Sequence, residues 1–109
     1  MGAVTVVLRK RRHDMSYVVA DITMAASYAT NGDTYTLAQF EAGNAIDAIV
    51  FSGNPSGYQF EADLTNKKIK VRQGDNTNAA AAPGSEVPNT TNLSAITVRA
   101  LVYRDYPGI

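Results

Sequence analysis

The chain has no cysteine, no tryptophan and a single histidine, His13, and its ten basic residues are matched by ten acidic ones over 109 positions. Each scarcity removes a class of function. Without cysteine there is neither a disulfide framework nor thiol chemistry. Zinc wants several His or Cys ligands, which one histidine cannot supply. A nucleophilic triad would have to recruit that same His13 with Ser16 or Ser27 and an aspartate. His13 stands beside Arg9-Lys10-Arg11-Arg12 in a turn-like stretch, a poor setting for a buried base and a good one for a surface histidine. Zero net charge gives no global pull toward nucleic acid or anionic membrane. It also does little to hold copies apart, which fits a chain that assembles. No run approaches the roughly 18 apolar residues of a membrane span. The opening MGAVTVVLRKRR sets apolar residues before basic ones, the reverse of a secretory signal, so the glycosylation patterns at Asn89 and Asn92 carry no weight.

What is present is β texture. The length suits one domain with one core. The clearest local signal is GYQFEADLTNKKIKVR, Gly57 to Arg72. Tyr58, Phe60, Ala62 and Leu64 alternate with Gln59, Glu61 and Asp63; Ile69 and Val71 alternate with Lys68, Lys70 and Arg72. Period two marks half-buried strands. A turn at Asn66-Lys67, or a loop at Thr65 to Lys68, predicts a hairpin with Leu64 opposite Ile69, Ala62 opposite Val71, Asp63 opposite Lys70 and Glu61 opposite Arg72. That register matches apolar with apolar and acid with base.

Further strands are expected at Ala3 to Arg9, with Val4, Val6 and Leu8 on one face, and at Tyr17 to Met24. A short one is expected at Thr34 to Thr36. Ala45 to Ser52 is almost continuously apolar and predicts a strand buried on both faces. Ser94 to Tyr103 alternates Ile96, Val98, Ala100 and Val102 with Thr97, Arg99, Leu101 and Tyr103. Thr36-Leu37-Ala38-Gln39 has the form of a capping box, so one helical turn is expected to run to Phe40 and stop at Gly43. Positions 73–93 read as a long irregular loop, with a brief edge pairing at Glu86-Val87; 104–109 read as a tail, and 1–12 as an N-terminal arm or an edge strand. The expected fold is all-β: a single small antiparallel β-sandwich or barrel-like domain with one long irregular loop.

Candidate chemistry is sparse. Glu61 and Asp63 on one strand face would lie about 7 Å apart, the spacing of a glycosidase carboxylate pair. Lys70 and Arg72 are placed to neutralise both, and a solvated face explains them better. Asp33 with Asn31, or Asp75 with Asn76 and Asn78, could offer oxygens to calcium, but Asn and Asp at such places are usually turn formers. No catalytic, cofactor-binding or metal residue is therefore assigned, and no cofactor. Arg9-Lys10-Arg11-Arg12 is the strongest charge feature. Alternation along a strand divides it between two sides, and there is no aromatic platform for RNA, which makes nucleic acid a poor partner and an acidic protein surface a better one; a merely solvated run explains it as well as either.

Taken together, VVADITMAASYATNGDTYTLAQF, AIDAIVF, GYQFEADLTNKKIKV, a small-residue linker and NLSAITVRALVY resemble the small β-rich virion proteins of tailed bacteriophages, above all capsid decoration (cement) proteins. The resemblance runs from Val18 to Tyr103 and rests on segment order and texture. It implies a non-enzymatic β-sandwich, often a homotrimer, on the outer surface of the virion, where it binds the major capsid protein and stabilises the head lattice. Head–tail or tail components share the texture, and a β-sandwich module for carbohydrate or a host surface is the other alternative. No membrane role is implied. The partner contact is expected at the N-terminus, through Val4, Val6, Arg9, Arg11 and Arg12, by edge addition to a neighbour's sheet with the arginines meeting acidic groups. Equally, Val4, Val6 and Leu8 could form the domain's own first core strand.

Overall fold

A computed structural model describes residues 2–11, 16–73 and 85–104. Arg12, His13 and the Asp75-Asn76-Asn78 group lie outside the described residues, as do most of the long loop and the tail beyond Arg104.

The fold is all-β. Two antiparallel sheets enclose one core, and they do not close into a barrel. The first sheet has the order β1-β2-β7-β4, from Val4–Arg11 (β1), Ser16–Thr23 (β2), Ile46–Ser52 (β4) and Thr97–Arg104 (β7). The second has the order β3-β6-β5, from Asp33–Thr34 (β3), Gln59–Asp63 (β5) and Lys68–Arg72 (β6).

Alternation builds the core. Val18, Ala20 and Ile22 of β2 and Val98, Ala100 and Val102 of β7 point inward at 0–1 % exposure. Ile69 and Val71 of β6 meet them from the other sheet. Phe51 of β4 and Phe60 of β5 join the layers, ring centroids 5.6 Å apart. Tyr35 and Phe40, edge to face at 5.4 Å, add aromatic bulk.

The capping box forms as expected. Thr36 Oγ1 accepts from the Gln39 N–H, and Gln39 Oε1 accepts from the Thr36 N–H at 2.8 Å, opening a 3₁₀ turn at Leu37–Phe40. The turn ends earlier than Gly43: Glu41 takes the left-handed conformation (φ 57°) and its N–H closes onto Leu37 and Ala38 carbonyls.

The hairpin register differs from the expectation by two residues. Ala62 pairs with Ile69, Phe60 with Val71, Glu61 with Lys70 and Asp63 with Lys68. Asp63 is the cause. Its carboxylate accepts from the Asn66 N–H at 3.1 Å and the Asn66 side-chain amide at 2.8 Å, so the loop begins at Leu64 rather than Thr65. Lys67, at φ 56°, completes the reversal. Leu64, expected in the core, sits in the loop and is exposed. A shift of two keeps every residue on its face, so the charge matches survive diagonally: Arg72 Nε donates to Glu61 Oε2 at 3.2 Å, and Lys70 lies close enough to help lower the Asp63 pKa.

Two other strands depart from expectation through bulges. β1 extends to Arg11, and its pairing with β2 slips between Val6 and Leu8. Val4 and Val6 therefore face the core, whereas Leu8 turns outward. β4 slips in the same way at Asp47. It is an edge strand with one open face, not a strand buried on both.

The two halves of the chain are tied at one end by Tyr28. Its hydroxyl donates to Glu86 at 2.6 Å and accepts from the Val71 N–H at 3.1 Å, while the Asn31 N–H reaches the same Glu86 oxygen at 2.7 Å. Glu86 pairs with Arg72, extending the sheet where β3 stops, as expected for Glu86-Val87. Gly32 permits the close approach of its segment to β6: at φ 115°, a Cβ there would meet the Ile69 carbonyl at 2.9 Å.

Candidate interaction surface

The outer face of the four-stranded sheet carries the residues that alternation and the bulges turn away from the core. Strand register arranges them in rows. The central row is Leu8, Val19, Leu101 and Val50, one from each strand. Beside it lie Lys10, Tyr17, Tyr103 and Ala48, with the tyrosine rings 5.8 Å apart and tilted. On the other side lie Thr5, Asp21, Arg99 and Ser52. The middle of this face is thus apolar and aromatic, with Val7 and Leu8 at 44 % exposure and Val50 at 53 %. Its margins are polar. Arg99 grips Asp21 with two hydrogen bonds, 2.8 and 3.0 Å, and holds that carboxyl below its usual range.

The bulges decide which residues of β1 and β4 this surface presents. Without the slip at Val7, Leu8 would share the inward face of Val4 and Val6. Without the slip at Asp47, the alternation of β4 would put Val50 on the inward face of Ile46. The bulge in β1 sends Leu8 outward; that in β4 sends Val50 outward and turns Ile49 and Phe51 inward.

The expected partner residues are distributed differently. Val4 and Val6 are half-buried against the domain's own core, so the first core strand of the alternative reading exists. β1 is nonetheless an edge strand, and no strand among the described residues pairs with its outer side. Arg9 lies on the inner side and clamps Glu41 through two contacts of 2.5 and 2.6 Å, depressing the Glu41 pKa. Arg11 continues the strand opposite Ser16. Of the basic run, Arg9 lies on the inner side and Lys10 on the outer, as alternation requires.

The remaining candidates are committed to structure. Asp33, almost fully buried, accepts from the Ala25 and Ala29 N–H groups, both at 3.3 Å, and shapes the turn ahead of β3. Glu61 is paired with Arg72 and Asp63 with Asn66. Ser16 is buried against Arg104, whose guanidinium also donates to the Phe40 carbonyl at 3.0 Å. Among the described residues no three His, Cys, Asp or Glu side chains converge. A polar cleft of about 400 Å³ lies beside the hairpin, lined by Asn31, Asp63, Asn66, Lys68 and Lys70. No helix among the described residues is long and apolar enough to cross a membrane.

The apolar outer face was not anticipated from sequence. Its signal was the weak polarity of the outward positions: Leu101 and Tyr103 in one strand, Val19 in another, and the unbroken Ala48-Ile49-Val50-Phe51. No family profile matches the chain, and no curated protein or solved structure matches it.

Proposed function

We propose that this is a non-enzymatic structural protein of a tailed-phage virion, a capsid decoration protein that binds the head lattice from outside. The observation that carries the reading is the open apolar face across all four strands of the larger sheet. An apolar face rimmed by polar residues is the mark of an assembly surface. The candidate catalytic carboxylates, by contrast, are spent on ion pairs and turn hydrogen bonds. The texture of the sequence supplies the phage context.

The contact with the major capsid protein falls to the open edge of β1 and the basic run Arg9, Arg11 and Arg12. Charged residues on an edge strand discourage indiscriminate pairing. They select a neighbour that brings carboxylates to the same edge. Many such modest contacts on one lattice sum to firm retention.

Cosedimentation with empty expanded capsids tests this. The chain should pellet with the shells, and binding should weaken as salt rises, because exposed charges are screened over about 8–10 Å. Replacing Arg9, Arg11 and Arg12 by Ser should reduce binding and leave the fold intact, since the exposed Arg9–Glu41 pair adds little to stability. Absence of binding at any salt concentration would remove the reading. The polar cleft favours a second reading, a module for carbohydrate on a host surface. Retention on a glycan array that is lost with Asn31→Ala would support it over the first.

A further inference from the structure

The charges around the outer sheet face form a self-complementary set. Lys10 stands on β1 at one edge, and Asp47, exposed in the bulge beside Ala48, stands on β4 at the opposite edge, level with the same row. Neither takes part in an ion pair among the described residues. Asp21 and Arg99 sit side by side on the two central strands. We propose that the partner covering this face is a second copy of the same chain, related by a two-fold axis that lies between the faces and runs along the strands. The proposal rests on the reading of the face as an assembly surface and names its occupant.

Such an axis, passing between β2 and β7, lays β1 over the partner's β4 and β2 over the partner's β7. Each row then meets itself reversed. Leu8 covers the partner's Val50, and Val19 covers the partner's Leu101. Tyr17 meets the partner's Tyr103. Asp21 lies over the partner's Arg99, and Lys10 reaches the partner's Asp47. Apolar meets apolar, and every charge on the face meets its opposite, twice over by symmetry. The other in-plane two-fold, across the strands, stacks the Thr5–Ser52 row on the Lys10–Ala48 row. It leaves Asp21 and Arg99 over tyrosines and Lys10 over the partner's Thr5, with no opposite charge. Charge pattern thus selects the first arrangement, which is the aligned packing of two sheets about 10 Å apart.

The size of the face sets the strength. Four strands about 4.8 Å apart and three rows spaced about 6.6 Å give a footprint of roughly 400 Å². That is about half of what each partner contributes to a standard interface. The pair should therefore be weak in free solution and be driven together where many copies are held on one lattice.

Sedimentation velocity over a wide concentration range tests this with four chains: the parent, Val50→Lys, Lys10→Glu, and Lys10→Glu combined with Asp47→Lys. The parent should pass reversibly from monomer to dimer. Val50→Lys should remain monomeric with an unchanged melting temperature, since its side chain touches solvent and not core. Lys10→Glu should weaken dimerisation on the order of 3–10-fold, and the double reversal should restore it. A parent that stays monomeric at every concentration overturns the proposal, as does a dimer insensitive to Val50→Lys. A trimer overturns it too, because three copies about a three-fold axis cannot pair one face with itself. Failure here is separable from failure of the functional reading. A monomeric parent whose shell binding is lost with Val50→Lys places the capsid on this face and keeps the function. A dimer that never pellets with shells keeps the proposal and removes the function.

Discussion

The two faces of the larger sheet invite comparison. On β7, Val98, Ala100 and Val102 are buried to 1 % exposure or less. Their outward neighbours Leu101 and Tyr103 are also apolar or aromatic, yet remain partly open. The inner face is covered within the chain by β6 and by the aromatic residues around Phe40. Nothing in the described chain covers the outer one. Apolar character alone therefore does not say where the core is; what distinguishes the faces is whether the chain carries its own cover. In this protein one face is closed in cis, and the other is available to be closed in trans.

Breaking the inner face should have the largest effect. Phe40 is fully buried and packs on Tyr35. Phe40→Ala should cost about 3–5 kcal/mol in chemical denaturation, as a large-to-small change in a packed core does. Phe60→Ala should cost less, because Phe60 is only half-buried at the margin of the sandwich. Equal losses for the two would mean that the core extends further toward β5 than its burial implies.

Next in size is the Tyr28 hydroxyl, which ties its own segment to Val71 of β6 and to Glu86. Tyr28→Phe keeps the ring but leaves the buried Val71 N–H without its acceptor, and should cost about 1–3 kcal/mol. The hydroxyl also predicts a pH dependence. Burial, and then the hydrogen bond to Glu86, push its pKa well above the ordinary 10.0. The folded state therefore keeps a proton that the unfolded state releases. The stability this provides is complete below pH 10.0 and is lost as pH rises toward the folded value. Denaturation midpoints measured on both sides of that pH should fall for the parent and fall less for Tyr28→Phe. Parallel curves would remove Tyr28 as the cause.

The carboxylates are the mirror case. Asp21, held by Arg99, Glu41, held by Arg9, and Asp63, held by Asn66, all have depressed pKa values. Their contribution is present above the ordinary values of 3.8 to 4.5 and lost as pH falls through the folded ones. All three are on the surface, so acid should erode stability only slightly. A steep acid transition would point to some other, buried carboxylate. Smallest of all is the outer face itself. Leu101→Ser should change monomer stability by roughly 0.5 kcal/mol, as surface substitutions do, while weakening association.

Much of this was legible in sequence, and the reasons are physical. Period-two alternation exposed the strands, and the inward and outward sets of β7 were read correctly, because side-chain direction in a strand follows from chain geometry alone. The capping box at Thr36 to Gln39 is likewise local. The departures came from features that add or subtract a residue. One Asx turn at Asp63 moved the hairpin by two positions, the bulge at Val7 turned Leu8 outward, and Val50, expected in a strand buried on both faces, lies on the open face of an edge strand. A bulge leaves no mark in composition, because it is chosen by the pairing of both strands and not by either one. The apolar outer face was hidden for the same reason. Its central row draws one residue from each of four strands spread between positions 8 and 101, and only the register brings them together.

A dilution series followed by amide chemical shifts tests most directly whether the outer face is the one that another molecule covers. Shifts that move with concentration should concentrate at Leu8, Val19, Leu101, Val50, Tyr17 and Tyr103, and should leave Val98, Ala100, Ile69 and Val71 still. Concentration dependence centred on the hairpin of β5 and β6, or none anywhere up to millimolar chain, would contradict it.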